Sequence, residues 1–182
     1  MKLFGLLALF LSFFWILAAC DEEGVSAEEQ REREDRIIRE YLSKNNLTNF
    51  QKTESGMYYI VLEQGTGATT PDTTLVTVDY EGWVLYGQKF DSSFERGEPI
   101  RFQSTTGRTF VEFDTLNRPV YANSGVIDGW VEAIDLMKKG EKTRFFMPSQ
   151  VAYGSSGTRD DARNVIIPGN QVIYFDIKLL DF

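Results

Sequence analysis

The sequence contains no histidine, and its single cysteine is Cys20. The absence of histidine excludes a Ser-His-Asp triad, an imidazole general base and a histidine-ligated metal site. A single cysteine excludes an internal disulfide and a cysteine-cluster metal site. We therefore expect any chemistry of this protein to use neither a metal nor another cofactor.

Basic side chains are also few. Lysine and arginine together number 19 against 27 acidic residues, which gives a formal net charge of −8, and no basic block occurs. We do not expect such an acidic chain to bind nucleic acid. Its 182 residues have room for one ordinary domain with extensions. Aromatic residues make up 14% of the chain, a rich supply for a core or an apolar pocket.

Long hydrophobic runs are confined to the N-terminus. The segment from Leu3 to Ala18 is almost continuously apolar, too short for a membrane span of about 20 residues but suited to a signal peptide. Small residues then precede Cys20, and this pattern resembles the lipobox of bacterial lipoproteins. We expect residues 1–19 to be a lipoprotein signal peptide and Cys20 to carry a membrane-anchoring lipid. The alternative is an ordinary secretory signal with a cysteine nearby by chance.

An acidic cluster directly follows the expected lipidation site. Asp21, Glu22 and Glu23 resemble the surface-export signals of some Bacteroidota lipoproteins. Elsewhere, an aspartate after the cysteine marks retention in the inner membrane. We expect a lipid-anchored protein of the cell envelope, at the outer membrane facing the periplasm or at the cell surface rather than at the inner membrane.

Residues 20–55 are expected to form a lipidated linker that contains one helix. Ser26 and Glu29 have the spacing of a capping box, and the pattern predicts a helix over residues 27–45. We favour a solvated tether that holds the following domain off the membrane. The alternatives are packing of the distal end on that domain and a homodimer through this helix. Both would use a short apolar stripe formed by Ile37, Ile38, Tyr41 and Leu42.

From residue 56 onward the pattern changes to that of β-strands. Apolar residues recur at helical spacing only in residues 127–139, which Gly140 is expected to terminate. One amphipathic helix beside antiparallel strands indicates an α+β architecture. Strands are predicted at 57–62, 75–84, around 90, and at 100–103, 109–114, 143–147 and 171–182.

Several short segments of this region are weak signals when taken singly, because each could be a turn or a core residue. Their joint order and spacing closely resemble the macrolide-binding, FKBP-type peptidyl-prolyl cis-trans isomerases over residues 57–182. The matching segments are, in order, Val78–Gly82, Gly87–Ser93, Arg96–Pro99, Val126–Trp130, Ala152–Gly154, Ile166–Pro168 and Tyr174–Asp176.

The resemblance implies a strongly bent antiparallel sheet wrapped around one short helix, in a domain over residues 56–182. It implies a peptidyl-prolyl cis-trans isomerase that assists the folding of exported proteins and whose substrates are their Xaa-Pro segments. An aromatic pocket would stabilise the twisted imide by excluding water, without a covalent or metal-dependent step.

Carried over position by position, the resemblance also implies the site residues. The catalytic group is Asp91 beside the imide, the Tyr153 hydroxyl, the backbone N–H of Ile127, Trp130 as the floor and Phe175 as a wall. The residues that the resemblance implies for substrate binding are Tyr80, Phe90, Arg96, Ile100, Val126, Ile166 and Ile167. The last two would belong to a flap over the pocket. At two positions the strand pattern supports these assignments independently of the resemblance. Tyr80 and Phe175 share strand faces with aliphatic side chains and are therefore expected to point inward.

Among the departures from the family pattern, two concern the pocket wall and an insertion beside it. Ile100 stands where many members have an aromatic pocket wall, which thins that side of the pocket. Residues 103–125 form an insertion relative to minimal members, and alternation in 109–114 followed by a turn at 117–119 predicts an extra hairpin.

Two other classes of function compete with the enzyme. One is a proline-binding or chaperone module with little turnover, and the other is a structural component of an envelope assembly. A degenerate pocket would favour the module, but Asp91, Trp130 and Tyr153 are all retained.

Overall fold

The computed structural model describes residues 25–113 and 115–182 of the chain. The expected signal peptide and Cys20 lie outside these residues, so both stay predictions. From residue 25 onward, no helix that the structure describes is both long and apolar enough to cross a membrane.

Among the described residues, three α-helices combine with a large antiparallel sheet. This confirms the predicted α+β class with an N-terminal helix, whereas the short helix over Ser93–Arg96 was not predicted. The helices are α1 (Ala27–Lys44), α2 (Ser93–Arg96) and α3 (Asp128–Leu136), and a 3₁₀ turn covers Ser149–Val151. The strands are β1 (Gln51–Lys52), β2 (Tyr58–Glu63), β3 (Leu75–Val84), β4 (Lys89–Ser92), β5 (Ile100–Gln103), β6 (Arg108–Phe113), β7 (Pro119–Gly125), β8 (Lys142–Met147), β9 (Thr158–Arg159), β10 (Val165–Ile167) and β11 (Ile173–Asp181).

The order of the strands brings distant parts of the chain together. The main sheet runs β1-β2-β8-β11-β3-β5-β6-β7, with β4 paired to β3 beside this path. The C-terminal strand β11 therefore lies between β8 and β3, and Phe175 is opposite both Phe145 and Gly82. A separate pair joins β9 and β10.

The core lies between the sheet and α3. On β3, the predicted inward face is confirmed, because Val76, Val78 and Tyr80 are all buried. Trp130 and Ile134 of α3 belong to the same buried cluster as these side chains. Burial of this apolar surface holds the short helix against the sheet.

The C-terminal end of α3 differs from the prediction. The predicted helix over 127–139 is wrong beyond Leu136, because Met137 adopts extended backbone torsions. The N–H of Lys139 donates to the carbonyl of Ala68 at 3.0 Å, and the carbonyl of Lys139 accepts from Gly67 at 3.2 Å. These bonds to another segment replace the last helical turn.

The hairpin predicted within the insertion 103–125 is present. Strands β6 and β7 pair antiparallel, with Phe113 opposite Pro119, and Thr109 of β6 pairs with Phe102 of β5. The hairpin is therefore an extension of the main sheet. Its outer part carries exposed apolar side chains, namely Val111, Phe113, Leu116 and Val120.

Helix α1 is not a solvated spacer, and this preference is corrected. The predicted capping box is present, since Ser26 and Glu29 exchange side-chain to backbone hydrogen bonds. However, Ile38 and Leu42 are fully buried, at 0% and 1% exposure. They pack against a second face of the sheet in a cluster with Tyr58, Ile60, Leu85, Phe146 and Val172.

This packing has a simple physical cause. Each fully buried leucine or isoleucine contributes about 1.5–3 kcal/mol relative to exposure. The stripe is thus more stable against the sheet than in water. Because the stripe is occupied within one chain, a homodimer through this helix would have to use its charged face.

Candidate active site

A cavity of about 220 Å³ lies among β3, β11, α3 and the turn after β8. It brings together most of the residues that the sequence predicts for the site. The lining is formed by Tyr80, Asp91, Arg96, Ile100, Thr109, Gly125, Val126, Ile127, Trp130, Tyr153 and Phe175.

A larger groove elsewhere is a weaker candidate. It has a volume of about 620 Å³ and lies between α1 and the segment around Pro148. Its lining is mainly charged and polar, including Arg31, Asp35 and Lys52. Because a ligand site typically combines apolar walls with a few convergent polar groups, the smaller aromatic cavity is the better candidate.

Three aromatic rings build the inner walls of the cavity. Trp130, near the start of α3, has its ring centroid 4.6 Å from that of Tyr80 and 5.1 Å from that of Phe175. Both contacts are edge-to-face, a favoured geometry for aromatic pairs. These side chains are 2–3% exposed, so their orientations are fixed by packing before any ligand arrives.

Phe90 supports this wall from the next strand, and a glycine makes its position possible. The Phe90 ring lies 5.5 Å from Phe175 and 6.2 Å from Tyr153, but it does not belong to the cavity lining. A Cβ atom on Gly82 would come within 2.4 Å of Phe175 Cε1 and 2.9 Å of Phe90 Cζ. Because Gly82 has no side chain, the rings of Phe175 and Phe90 can pack directly over the backbone of β3 at this position.

The polar side of the cavity is a closed cluster around Asp91. Its carboxylate accepts hydrogen bonds from the Tyr80 hydroxyl at 2.5 Å and from Arg96 Nη1 at 2.7 and 3.0 Å. The backbone N–H of Ser92 adds a further donor at 2.8 Å. Arg96 also donates to the Tyr80 hydroxyl through Nη2. Asp91 is therefore held in place by its neighbours and is already hydrogen-bonded.

The two tyrosine hydroxyls of the cavity stay protonated. Burial and, to a smaller extent, the nearby charge of Asp91 together raise the pKa of Tyr153 to about 12. Burial and the hydrogen bond to Asp91 also raise the pKa of Tyr80 above its ordinary value. At physiological pH, Tyr153 can thus act as a hydrogen-bond donor.

The backbone at the start of α3 offers a second donor. Ile127 is the residue before the helix, and its carbonyl accepts the N–H of Trp130 at 2.9 Å. Within the part of the chain that the structure describes, the N–H of Ile127 makes no hydrogen bond. Val126 and Ile127 line the cavity, as predicted for its rim.

Two predicted residues are not brought into the cavity. Ile166 is 38% exposed on β10, whereas Ile167 is buried in the core cluster. Strand alternation explains why they point in opposite directions. Neither lines the cavity, and their predicted role in a flap stays a prediction.

The sequence analysis missed two lining residues. Thr109 and Gly125 belong to the β6–β7 hairpin, which reaches the cavity edge. Residues of an insertion have no counterpart in the family motif. Pairing of Thr109 with Phe102 is what carries the hairpin to this edge.

This arrangement can bind a compact apolar ring and donate hydrogen bonds to a neighbouring carbonyl oxygen. The inner walls are aromatic, the Tyr153 hydroxyl and the Ile127 N–H are available as donors, and the Asp91 carboxylate lies at one side. Among the described residues that line the cavity, none is a nucleophile paired with a general base. The chemistry that fits is a conformational change of a bound group.

Comparison with known proteins agrees with this geometry. A sequence model of the FKBP-type peptidyl-prolyl cis-trans isomerase family matches residues 67–180. The FKBP-type peptidyl-prolyl cis-trans isomerase FkpA of Aeromonas hydrophila is 38% identical over 164 residues, which are 90% of this chain and 49% of that protein. FkpA of Escherichia coli K12 is 34% identical over 144 residues, 79% of this chain and 44% of that protein.

Solved structures give the same result. The crystal structure of FkpA from Escherichia coli superposes with a TM-score of 0.59 at 28% identity, over 85% of this chain and 61% of that chain. AtFKBP13 superposes with a TM-score of 0.59 at 27% identity, over 73% of this chain and 98% of that chain. The chain spans about half the length of the curated relatives it matches. On sequence and fold, it belongs to the FKBP-type peptidyl-prolyl cis-trans isomerase family.

Proposed function

We propose that this chain catalyses cis-trans isomerisation of Xaa-Pro bonds in exported proteins and thereby assists their folding. One observation carries the proposal: an aromatic cavity walled by Tyr80, Trp130 and Phe175 opens beside two hydrogen-bond donors, the Tyr153 hydroxyl and the Ile127 N–H. A prolyl ring fits the walls, and a substrate carbonyl other than that of the rotating imide fits the donors.

The mechanism follows from the electronic structure of the imide. Rotation about a peptide bond breaks amide resonance and faces a barrier of about 18–20 kcal/mol. Resonance places negative charge on the carbonyl oxygen of the planar form, and the twisted form has less charge separation. An apolar cavity that removes water therefore favours the twisted form relative to the planar one. Each 1.4 kcal/mol of such preference accelerates rotation about tenfold.

The polar groups orient the substrate rather than exchange protons with it. Tyr153, whose pKa burial raises to about 12, remains a neutral donor. Asp91 is tied to Tyr80, Arg96 and Ser92 and so gives the cavity a fixed polar edge. No covalent intermediate is needed, because only a torsion angle changes.

The test of this proposal is cis-trans exchange measured by NMR in a panel of short Xaa-Pro peptides. The full chain is expected to accelerate exchange, and Phe175→Ala is expected to lower kcat/KM by about tenfold or more because it opens the wall to water. Phe50→Ala is the matched control, since it removes a phenyl ring outside the cavity. Absence of exchange with the folded parent, or a parental rate for folded Phe175→Ala, would contradict the proposal.

We further propose that the protein is lipidated on Cys20 and anchored in the cell envelope. Support comes from the apolar run that ends in small residues before this cysteine, and from the acidic cluster after it. Metabolic labelling with a clickable fatty acid is expected to mark the parent but not Cys20→Ser. Equal labelling of both proteins would refute the anchor.

A second candidate function is a chaperone module that holds unfolded chains. The exposed apolar side chains of the hairpin favour it, namely Val111, Phe113, Leu116 and Val120. If holding is the main function, the protein suppresses aggregation of an unfolded client even as Phe175→Ala, whereas Val111→Ser combined with Phe113→Ser loses suppression. If isomerisation is the main function, Phe175→Ala slows the refolding of a proline-limited client.

A further inference from the structure

A second groove continues from the cavity along the hairpin. It has a volume of about 470 Å³ and shares Arg96, Ile100 and Thr109 with the cavity lining. The rest of its lining is Glu98, Pro99, Arg101, Phe110 and Val111. We call it the hairpin groove, because β6 of the inserted hairpin supplies one wall.

We propose that the hairpin groove is a substrate subsite. It binds the residues that flank the proline and prefers an acidic side chain there, through Arg101. This inference rests on the proposed isomerase function, because the groove is useful to a substrate only when a proline occupies the neighbouring cavity. The expected occupant of the hairpin groove is thus another segment of the substrate polypeptide whose proline lies in the cavity.

Arg101 is the available cation of this groove. Its Cζ atom lies 4.4 Å from the centroid of the Phe110 ring, and this stacking orients the planar guanidinium group. Across residues 25–113 and 115–182, no carboxylate lies within 4.0 Å of it, and only its longer-range charge acts on the Asp181 carboxylate. Arg96, in contrast, is bound to Asp91. An oriented guanidinium can donate two parallel hydrogen bonds to a carboxylate.

The overlap between the cavity and the hairpin groove limits how far from the proline a substrate residue that contacts Arg101 can lie. Ile100 lines both the cavity and the groove, and Arg101 is the next residue along β5. An extended chain advances about 3.3 Å per residue. Since the two linings overlap, we expect a carboxylate that reaches Arg101 to belong to a residue within about four positions of the proline, about 13 Å of extended chain.

The groove also contains an acidic side chain, whose removal is expected to have the opposite effect to removal of Arg101. Glu98 lines the same groove and is exposed. Its carboxylate repels an acidic substrate residue, so its removal is expected to increase the preference. The net charge of the whole chain is −8, so long-range electrostatics disfavour acidic peptides. A preference for an acidic substrate residue therefore has to come from a short-range contact within the groove.

The experiment compares peptides with one glutamate placed in turn at each of four positions on either side of the proline, against the same peptides with glutamine. The full chain is expected to show a kcat/KM about threefold to fivefold higher for glutamate at one or two adjacent positions. Arg101→Gln is expected to bring this ratio to one, and Glu98→Gln to raise it. Arg36→Gln on α1 changes net charge equally and is expected to leave the ratio unchanged.

The outcomes separate this inference from the proposed function. Turnover of the glutamine peptides without a glutamate preference at any position overturns the subsite but leaves the isomerase intact. A preference that survives in Arg101→Gln also overturns it. Failure of the folded parent to turn over any peptide overturns the proposed function itself. A ratio that falls equally in Arg36→Gln assigns the effect to overall charge and refutes the role of Arg101.

Discussion

The buried carboxylate of Glu34 on α1 accepts a hydrogen bond from the backbone N–H of Ser149 at 2.8 Å. The carbonyl of Ser149 in turn accepts the N–H groups of Ala152 at 3.0 Å and Gly154 at 2.8 Å. These two residues flank Tyr153. The N-terminal helix thus supports the turn that carries the cavity hydroxyl.

Loss of this support is expected to destabilise the protein. Glu34→Leu leaves the Ser149 N–H buried without its acceptor, which costs about 1–3 kcal/mol. Glu34→Gln keeps a carbonyl acceptor and is expected to cost less. Urea unfolding measures both, and Glu32→Gln on the exposed face of α1 is the control. Equal stability of Glu34→Leu and the parent would show that this bond contributes nothing.

Substitution of Gly82 tests whether the rings of Phe175 and Phe90 need the space above this glycine. Gly82→Ala forces Phe175 and Phe90 to move, because the new Cβ atom would lie 2.4 Å from the former. Overpacking of this kind costs about 1–3 kcal/mol, and kcat/KM is expected to fall with it. The control is Gly140→Ala, at a positive φ of 82° with no neighbouring atom within 4 Å. It is expected to lower stability without lowering kcat/KM.

Alkaline pH provides a test of the buried tyrosine. Tyr153 has a pKa raised by burial to about 12, against about 10 in the unfolded chain. The folded state therefore favours the protonated form. This contribution to stability is complete below about pH 10 and is lost as the pH rises toward about 12.

The measurement is the free energy of unfolding in urea between about pH 8 and pH 11. Because the side chain is partly exposed, its contribution is at most about 2 kcal/mol. Stability of the parent is expected to fall at the upper end, and that of Tyr153→Phe to fall less. Parallel pH profiles of the two proteins would refute the raised pKa. The isomerisation rate is expected to stay constant up to about pH 10.

Removal of the α1 anchor is expected to lower stability. Leu42 is 1% exposed in the cluster behind the sheet. Leu42→Ala is expected to cost about 2–5 kcal/mol through lost burial and the remaining cavity. Thermal or urea unfolding measures the loss, and Val25→Ala, at a side chain that is 62% exposed, is the control. An unchanged midpoint for Leu42→Ala would mean that α1 does not stabilise the domain.

Local patterns in the sequence predicted the parts of the fold that depend on them. Alternation on β3 identified Tyr80 as inward-facing, and the spacing of Ser26 and Glu29 identified the start of α1. The hairpin was also predicted, since a turn signal divides two β-prone runs.

The errors arose where a distant segment decides the outcome. The end of α3 depends on backbone hydrogen bonds of Lys139 with Gly67 and Ala68, which lie about 70 positions earlier in the chain. The packing of α1 depends on a sheet face that includes Phe146, and the composition of the helix alone favoured a solvated spacer. Strand and helix periods carry no information about such partners.

The candidate site shows the same division. The motif match located Asp91, Trp130 and Phe175, all of which line one cavity. It did not locate Thr109, because an inserted hairpin has no counterpart in the motif. Nor did it anticipate that Ile167 would be buried in the core, since which of two neighbouring isoleucines faces inward depends on the pairing of β9 and β10.

The most direct test of the proposed mechanism is the rate of cis-trans exchange in an Xaa-Pro peptide, measured with the full chain in H₂O and in D₂O. Desolvation and stabilisation of the twisted imide involve no proton transfer. We expect fast exchange at nearly equal rates in the two solvents. No acceleration by the folded protein, or a clearly slower rate in D₂O, would contradict the mechanism.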